Sequence, residues 1–118
     1  MSFTLLIPMS YDLKKDKSGK FTFNLKAGNG QVILTGQSYA SKQGAQDGIA
    51  SVRTHGVDDA NFELKTSVAG EPFFVLKAKN GQIIGKSEMY SSTGARDNGV
   101  ASVKNNSSST TVNDLTGA

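Results

Sequence analysis

The 118-residue sequence predicts an α+β protein in which two tandem β-β-β-α-β repeats build one antiparallel sheet with two helices on one face. Three observations lead to this fold class. The same string occurs twice at a constant separation, so that Phe23 returns as Phe74 and Gly48 as Gly99. Within each copy the apolar spacing changes from alternation to a helical period. A unit this short buries little surface alone, so its twin is expected to complete a shared core with pseudo-twofold symmetry.

The repeats divide the chain into a leader at residues 1–9, a first repeat at 10–59 and a second at 60–116, all within a single domain spanning 1–118. The leader matches neither repeat, and Met9 is a hypothetical natural start. Two independent mini-domains are the alternative arrangement. The short connection from His55 to Asn61 disfavours it.

The first repeat contains a β-hairpin. Apolar residues alternate with polar ones along the first strand, at Phe21, Phe23, Leu25 and Ala27. Asn29-Gly30 then predicts a type I′ turn with two residues of positive φ. This turn places Leu25 opposite Leu34 and Lys26 opposite Ile33. The second repeat has the same pattern around Asn80-Gly81.

A helix follows each hairpin. Ser41 is expected to cap the first one, and Ser91 or Ser92 the second. The predicted buried positions are Ala45, Gly48, Ile49 and Val52 in the first helix, and Ala95, Gly99, Val100 and Val103 in the second. Glycine at the centre of both helices suggests a close approach to the sheet. Thr111 to Leu115 then predicts a last short strand.

These motifs resemble the YegP-like bacterial proteins over Tyr11 to Thr116. The resemblance is carried by Asn29-Gly30-Gln31 and Asn80-Gly81-Gln82, the Tyr-x-Ser entries at Tyr39 and Tyr90, the Gly-Ile/Val-Ala-Ser-Val runs at Gly48 and Gly99, and Val112 to Thr116. It implies a single sheet in which the strand after each helix is exchanged into the other half. It implies no catalytic or binding residues.

Composition limits the chemistry. Cysteine is absent, which excludes disulfides and thiolate metal sites, and the net charge is only +3. No apolar run approaches the length of a spanning helix, so a cytoplasmic protein without membrane association is expected. We also expect a monomer that holds no cofactor or metal. The only histidine, His55, follows a helix end and is expected at the surface, as are the adjacent Asp58 and Asp59. We therefore predict no catalytic residues and no enzymatic activity.

The sheet face turned away from the helices is the candidate interaction surface. The predicted register gives it basic, aromatic and aliphatic side chains, at Lys26, Ile33, Phe73, Val75, Lys77, Ile84 and Lys86. Such a face suits a protein partner or a second copy. Basic and aromatic residues together also suit single-stranded nucleic acid. A half-polar face without function is the third reading. The sequence favours a non-catalytic interaction module, with nucleic-acid binding as the alternative; an enzyme of unknown type would require a deep polar pocket.

Overall fold

Each repeat forms a three-stranded meander followed by a helix in a computed structural model that describes residues 9–28 and 30–117. The first repeat comprises β1 (Ser10–Lys15), β2 (Phe21–Lys26), β3 (Val32–Gly36) and α1 (Lys42–His55). After a 3-10 turn at Asp59–Asn61, the second comprises β4 (Phe62–Thr66), β5 (Pro72–Lys77), β6 (Ile83–Lys86) and α2 (Thr93–Asn106), and the chain closes with β7 (Val112–Asp114). Asn29 and leader residues 1–8 lie outside the described residues, and the natural start at Met9 stays a hypothesis.

The seven strands form one continuous sheet in the order β4-β5-β6-β3-β2-β1-β7. The two repeats join where Thr35 pairs with Lys86 and Gly36 with Gly85. This confirms the shared sheet. No helix in the described part of the chain is long and apolar enough to cross a membrane.

The prediction of a wholly antiparallel sheet is wrong at one edge, because β7 runs parallel to β1 and the sheet is mixed. The cause is the position at which α2 ends. The hydroxyl of Tyr11 donates to the carbonyl of Ser107 at 2.5 Å, so the chain leaves α2 beside the start of β1. It then runs along β1 in the same direction.

Strand exchange occurs in one direction only. β7 follows the helix of the second repeat and joins the first repeat, as the resemblance implies. The strand after α1 is β4, which pairs with β5 and is also the first strand of the second repeat. β4 is therefore both the strand that follows the first helix and the first strand of the second repeat, and it lies at the edge of the sheet.

The loop of the second hairpin differs from the predicted type I′ turn. Gly81 has φ of +86°, but Asn80 does not have positive φ. The amide of Ala78 donates to the carbonyl of Gln82, and the amide of Gly81 donates to the carbonyl of Ala78. This is a three-residue loop, which needs positive φ only at its glycine. Asn80 instead accepts the Gln82 amide on its side-chain oxygen at 3.0 Å.

The register of the first hairpin also differs from the prediction beyond Leu25. Leu25 pairs with Leu34 as predicted, but a bulge between Leu25 and Lys26 sets Val32, and not Ile33, opposite Lys26. A bulge adds one residue to one strand and turns the side chains beyond it to the other face. The second hairpin has the same bulge and sets Ile83 opposite Lys77.

The bulges correct two positions of the predicted surface. Ile33 and Ile84 do not lie on the open face but belong to the buried core, where they are 6% and 8% exposed. Val32 lies opposite Lys26, where Ile33 was predicted, and Ile83 lies opposite Lys77, where Ile84 was predicted.

The helices begin where the sequence predicts. Ser41 accepts from the amide of Gly44, and Ser92 from that of Ala95, both at 3.0 Å. The four predicted positions of α1 are buried. In α2, Gly99 and Val103 are buried as predicted, whereas Ala95 and Val100 are only half-buried.

The central glycines make room for a tyrosine ring. A Cβ on Gly48 would lie 2.8 Å from Cζ of Tyr39, and one on Gly99 would lie 2.7 Å from Cζ of Tyr90. The ring of Tyr39 also stacks on Phe23, with 6.3 Å between centroids. The Tyr-x-Ser entry therefore supplies a ring that packs between helix and sheet.

Candidate interaction surfaces

His55 makes a local contact in the last turn of its helix. Nδ1 of His55 lies 2.8 Å from the carbonyl of Ser51. The equivalent residue of the second repeat is Asn106, whose side-chain nitrogen donates to the carbonyl of Ser102 at 2.6 Å. Since an amide makes the same bond, this contact requires no imidazole chemistry.

The adjacent aspartates also make local contacts. Asp58 accepts from the amide of Ala60 at 3.0 Å and caps the 3-10 turn. Asp59 pairs with Lys104 at 3.0 Å. Among residues 9–28 and 30–117, no three His, Asp or Glu side chains come together as a metal site. The absence of enzymatic activity stays a prediction.

The lysines predicted on the open face are engaged by neighbours. Lys26 pairs with Asp12 at 2.7 Å, and Lys77 occupies the equivalent place with Glu63 at 3.1 Å. Burial raises the pKa of Asp12, but hydrogen bonds from Lys26 and Asn113 outweigh this and hold it below its ordinary value. The hydrogen bond from Lys77 likewise lowers the pKa of Glu63.

The apolar residues of the open face are largely covered. Phe73 is half-buried, and Nζ of Lys86 lies 5.2 Å from the centre of its ring. Val75 is only 3% exposed, with Glu63 and Lys86 as its strand neighbours. Ile83 is exposed to 39%. Phe73, Val75 and Ile84 therefore do not form one exposed apolar patch.

The β1 edge is closed by the end of the chain. The amide of Tyr11 donates to the carbonyl of Thr111 at 2.9 Å, and the amide of Leu115 donates to the carbonyl of Leu13 at 2.8 Å. Tyr11 is fully buried and Leu13 is 1% exposed. We name residues 107–115 the closing segment.

Charged side chains of α1 hold the closing segment. Nε of Arg53 donates to the carbonyl of Ser109 at 2.8 Å, while its guanidinium lies over the ring of Tyr11. Lys42 pairs with Asp114 in β7. The hydrogen bonds from Lys42 and Thr116 lower the pKa of Asp114 to about 2.

Within residues 9–28 and 30–117, the β4 edge has no such cover. Phe62 and Leu64 occupy the places of Tyr11 and Leu13, but Leu64 is 52% exposed where Leu13 is 1% exposed. A groove of about 350 Å³ runs between β4 and α2 and is lined by Asp59, Phe62, Leu64, Asp97, Val100, Ala101 and Lys104. We name it the repeat-2 groove.

The sequence interpretation missed this groove. The order of the elements contained the signal, because two equivalent first strands carry the same apolar spacing and, in the part of the chain that the structure describes, a single short strand follows the second helix. Locating the groove also requires the pairing of β7 with β1, which the repeat pattern alone does not predict.

The fold is that of a tandem DUF1508 protein. The family model described as Domain of unknown function (DUF1508) matches the chain twice, over residues 16–63 and 67–114. The chain is 53% identical over 106 residues to the UPF0339 protein YegP of Yersinia pestis, a match covering 90% of this chain and 95% of that protein. It is 54% identical over 106 residues to a UPF0339 protein of Mannheimia succiniciproducens, with 90% and 94% covered.

Solved structures agree with this assignment. The solution structure of yegP from E. coli, titled a protein of unknown function, has a TM-score of 0.89 and 45% identity, with 98% of this chain and 99% of that chain covered. A UPF0339 protein from Shewanella oneidensis has a TM-score of 0.85 and 51% identity, with 90% of each chain covered. The chain belongs to the UPF0339/YegP family, for which no function is known.

Proposed function

We propose that this protein is a non-catalytic interaction module that binds a protein partner in the repeat-2 groove. The observation that carries the proposal is the contrast between Leu13, covered by the closing segment, and Leu64, exposed at the equivalent position. Burying an exposed leucine is favourable by roughly 25 cal/mol per Å² of apolar surface. A free strand edge beside an apolar groove is a surface on which partners are commonly bound.

A non-catalytic role is supported by the polar residues. His55 and Asp58 satisfy backbone groups of their own repeat, and Asp59 is paired with Lys104. Nδ1 of His55 also lies 3.2 Å from the hydroxyl of Ser51, one turn earlier in the same helix. The ordinary structural needs of helix ends and turns account for them.

The open sheet face is the alternative surface. Its lysines favour a negatively charged ligand, which keeps single-stranded nucleic acid as the second candidate. The ion pairs of Lys26 and Lys77 and the cover of Phe73 by Lys86 weigh against it, because charge and ring are already occupied. Retention of oligonucleotides at low salt that falls on replacing Lys26, Lys77 and Phe73 would favour the open face.

Site-specific photo-crosslinking in bacterial cells distinguishes these surfaces. A crosslinking residue is placed at Leu64 in the groove, at Phe73 on the open face, or at Val68 in an exposed turn as the matched control. The proposal predicts discrete protein adducts from position 64 and none from position 68. Adducts from position 73 alone, or equal adducts from 64 and 68, would contradict it.

A further inference from the structure

We infer that the repeat-2 groove receives an extended peptide segment of a partner protein, which adds to β4 as a parallel strand, as β7 adds to β1. This inference rests on the proposed function and specifies the form of the partner. The molecule contains its own template, because the closing segment fills the equivalent space of the first repeat. A strand can add to β4 in the same way only if the outer sides of β1 and β4 match in register.

The two edges match residue by residue. Leu64 pairs with Phe74 in the way that Leu13 pairs with Phe23. In antiparallel pairing the amide and carbonyl of one residue point to the same side. The carbonyl of Leu13 points to β7, where it accepts from Leu115. The amide and carbonyl of Leu64 therefore point away from β5, toward the open edge.

The groove also retains the cation that holds the incoming backbone. Arg53, which donates to the carbonyl of Ser109, is replaced at the equivalent position by Lys104. Lys104 lines the groove and is paired with Asp59, whose side chain is 76% exposed. An ammonium with three donors is able to keep this pair and donate to a peptide carbonyl.

The side chains of the groove define the chemistry of the incoming strand. Val112 and Asp114 lie beside Tyr11 and Leu13 on the helix side, while Asn113 donates to Asp12 on the open face at 3.0 Å. The equivalent strand at β4 would therefore alternate between the groove and Glu63.

One difference between the repeats changes the preferred sequence. Lys42, the partner of Asp114, is replaced by Thr93 in the second repeat. An acid at that position would lose its ion pair and lie beside the exposed Leu64. The groove thus favours an apolar residue, a hydrogen-bond donor facing Glu63, and a second apolar residue.

Among the segments that the structure describes, none is free to occupy the groove, and we therefore assign the occupant to another molecule. The closing segment is already bound to β1, and no strand lies beyond β4 in the described ranges. A second copy would have to release its own β7 from the bonds of Tyr11 and Leu13 first. A foreign segment has no such competing site.

A synthetic peptide tests the inference by NMR on the full chain. The probe copies residues 110–116 with Asp114→Val. The control peptide carries Asn at positions 112 and 114, the two positions that would face the groove. We expect amide exchange of Leu64 to slow at least tenfold at saturating probe, and no change with the control peptide. In the protein, Leu64→Ser is expected to weaken binding at least fivefold, whereas Val68→Ser leaves it unchanged.

Four results would overturn the inference. Shifts in the groove without slower exchange of Leu64 would mean binding without strand addition, and would leave the proposed function intact. No shift at millimolar probe would exclude this peptide chemistry, while crosslinks at position 64 would still support a partner. Shifts confined to β1 would mean displacement of β7. Protection of Leu64 that rises with protein concentration alone would identify a second copy as the occupant.

Discussion

The first strands of the two repeats, β1 and β4, are equivalent in sequence position but differ in what covers their outer sides. β1 is closed by β7, and its Leu13 is 1% exposed; β4 has no strand on its outer side in the part of the chain that the structure describes, and its Leu64 is 52% exposed. Duplication creates two equivalent edges, but the chain ends only once. The closing segment therefore satisfies the backbone groups of β1 and leaves those of β4 available.

The interiors of the two repeats remain alike. The Phe23–Tyr39 stack recurs as Phe74–Tyr90, with centroid distances of 6.3 and 6.2 Å. The open-face ion pairs and the hairpin bulges recur as well. The difference between the repeats is therefore concentrated at the edges.

The largest expected effect comes from truncating the paired leucines. Leu13→Ala should lower the free energy of unfolding by about 2–5 kcal/mol, because it leaves a cavity under the closing segment. Leu64→Ala should lower it by less than about 1 kcal/mol, because the side chain is already half-exposed. Chemical denaturation measures both. Equal losses would show that the repeat-2 groove is filled in solution.

The central glycines should behave alike in both repeats. Gly48→Leu and Gly99→Leu should each destabilise the fold by about 1–3 kcal/mol, since the new side chain meets the ring of Tyr39 or Tyr90. Thermal melts of the two variants and of the parent protein test this. A variant with parental stability would show that the ring yields at no cost.

Exchanging the aromatic residues at the two edges tests the closing segment. Tyr11→Phe removes the buried hydrogen bond to Ser107 and should cost about 1–2 kcal/mol. Phe62→Tyr should change stability by less than about 0.5 kcal/mol, because a hydroxyl at a half-buried position reaches water. Urea unfolding of the pair measures the difference. An unchanged free energy of unfolding for Tyr11→Phe would show that the hydrogen bond to Ser107 does not stabilise the closing segment.

The smallest effect is a pH dependence of β7. The folded pKa of Asp114 is about 2, below its ordinary value of 3.8. The ionised carboxylate therefore stabilises the docked β7 fully at pH values above 3.8, the pKa of Asp114 in the unfolded chain. This stabilisation is lost as the pH falls through about 2, the pKa in the folded protein. The amide shift of Leu115 should titrate with that midpoint and lose the step in Asp114→Asn. A midpoint near 3.8 would contradict the Lys42 contact.

Local patterns predicted most of the elements. The caps at Ser41 and Ser92 follow from side-chain hydrogen bonding within a few residues, and the buried face of α1 follows from its period. Asn80-Gly81 correctly indicated a chain reversal. The loop type was wrong because the glycine suits both kinds of turn, and the extra loop residue turned Ile84 into the core.

Features that depend on distant contacts were beyond local patterns. The direction of β7 is set by the place where α2 ends, beside Tyr11. The cover of Phe73 by Lys86 depends on which strands become neighbours. The groove at Leu64 is open because β7 pairs with β1 and not with β4. Each involves residues that are brought together only by the completed sheet.

Amide hydrogen exchange of the free protein tests the central comparison most directly. Leu13 and Leu64 occupy the same register, and both direct their backbone groups away from the neighbouring antiparallel strand. The amide of Leu13 should be strongly protected by β7, and that of Leu64 should exchange nearly as fast as in an unstructured peptide. Equal protection of the two amides would contradict an open edge in the second repeat.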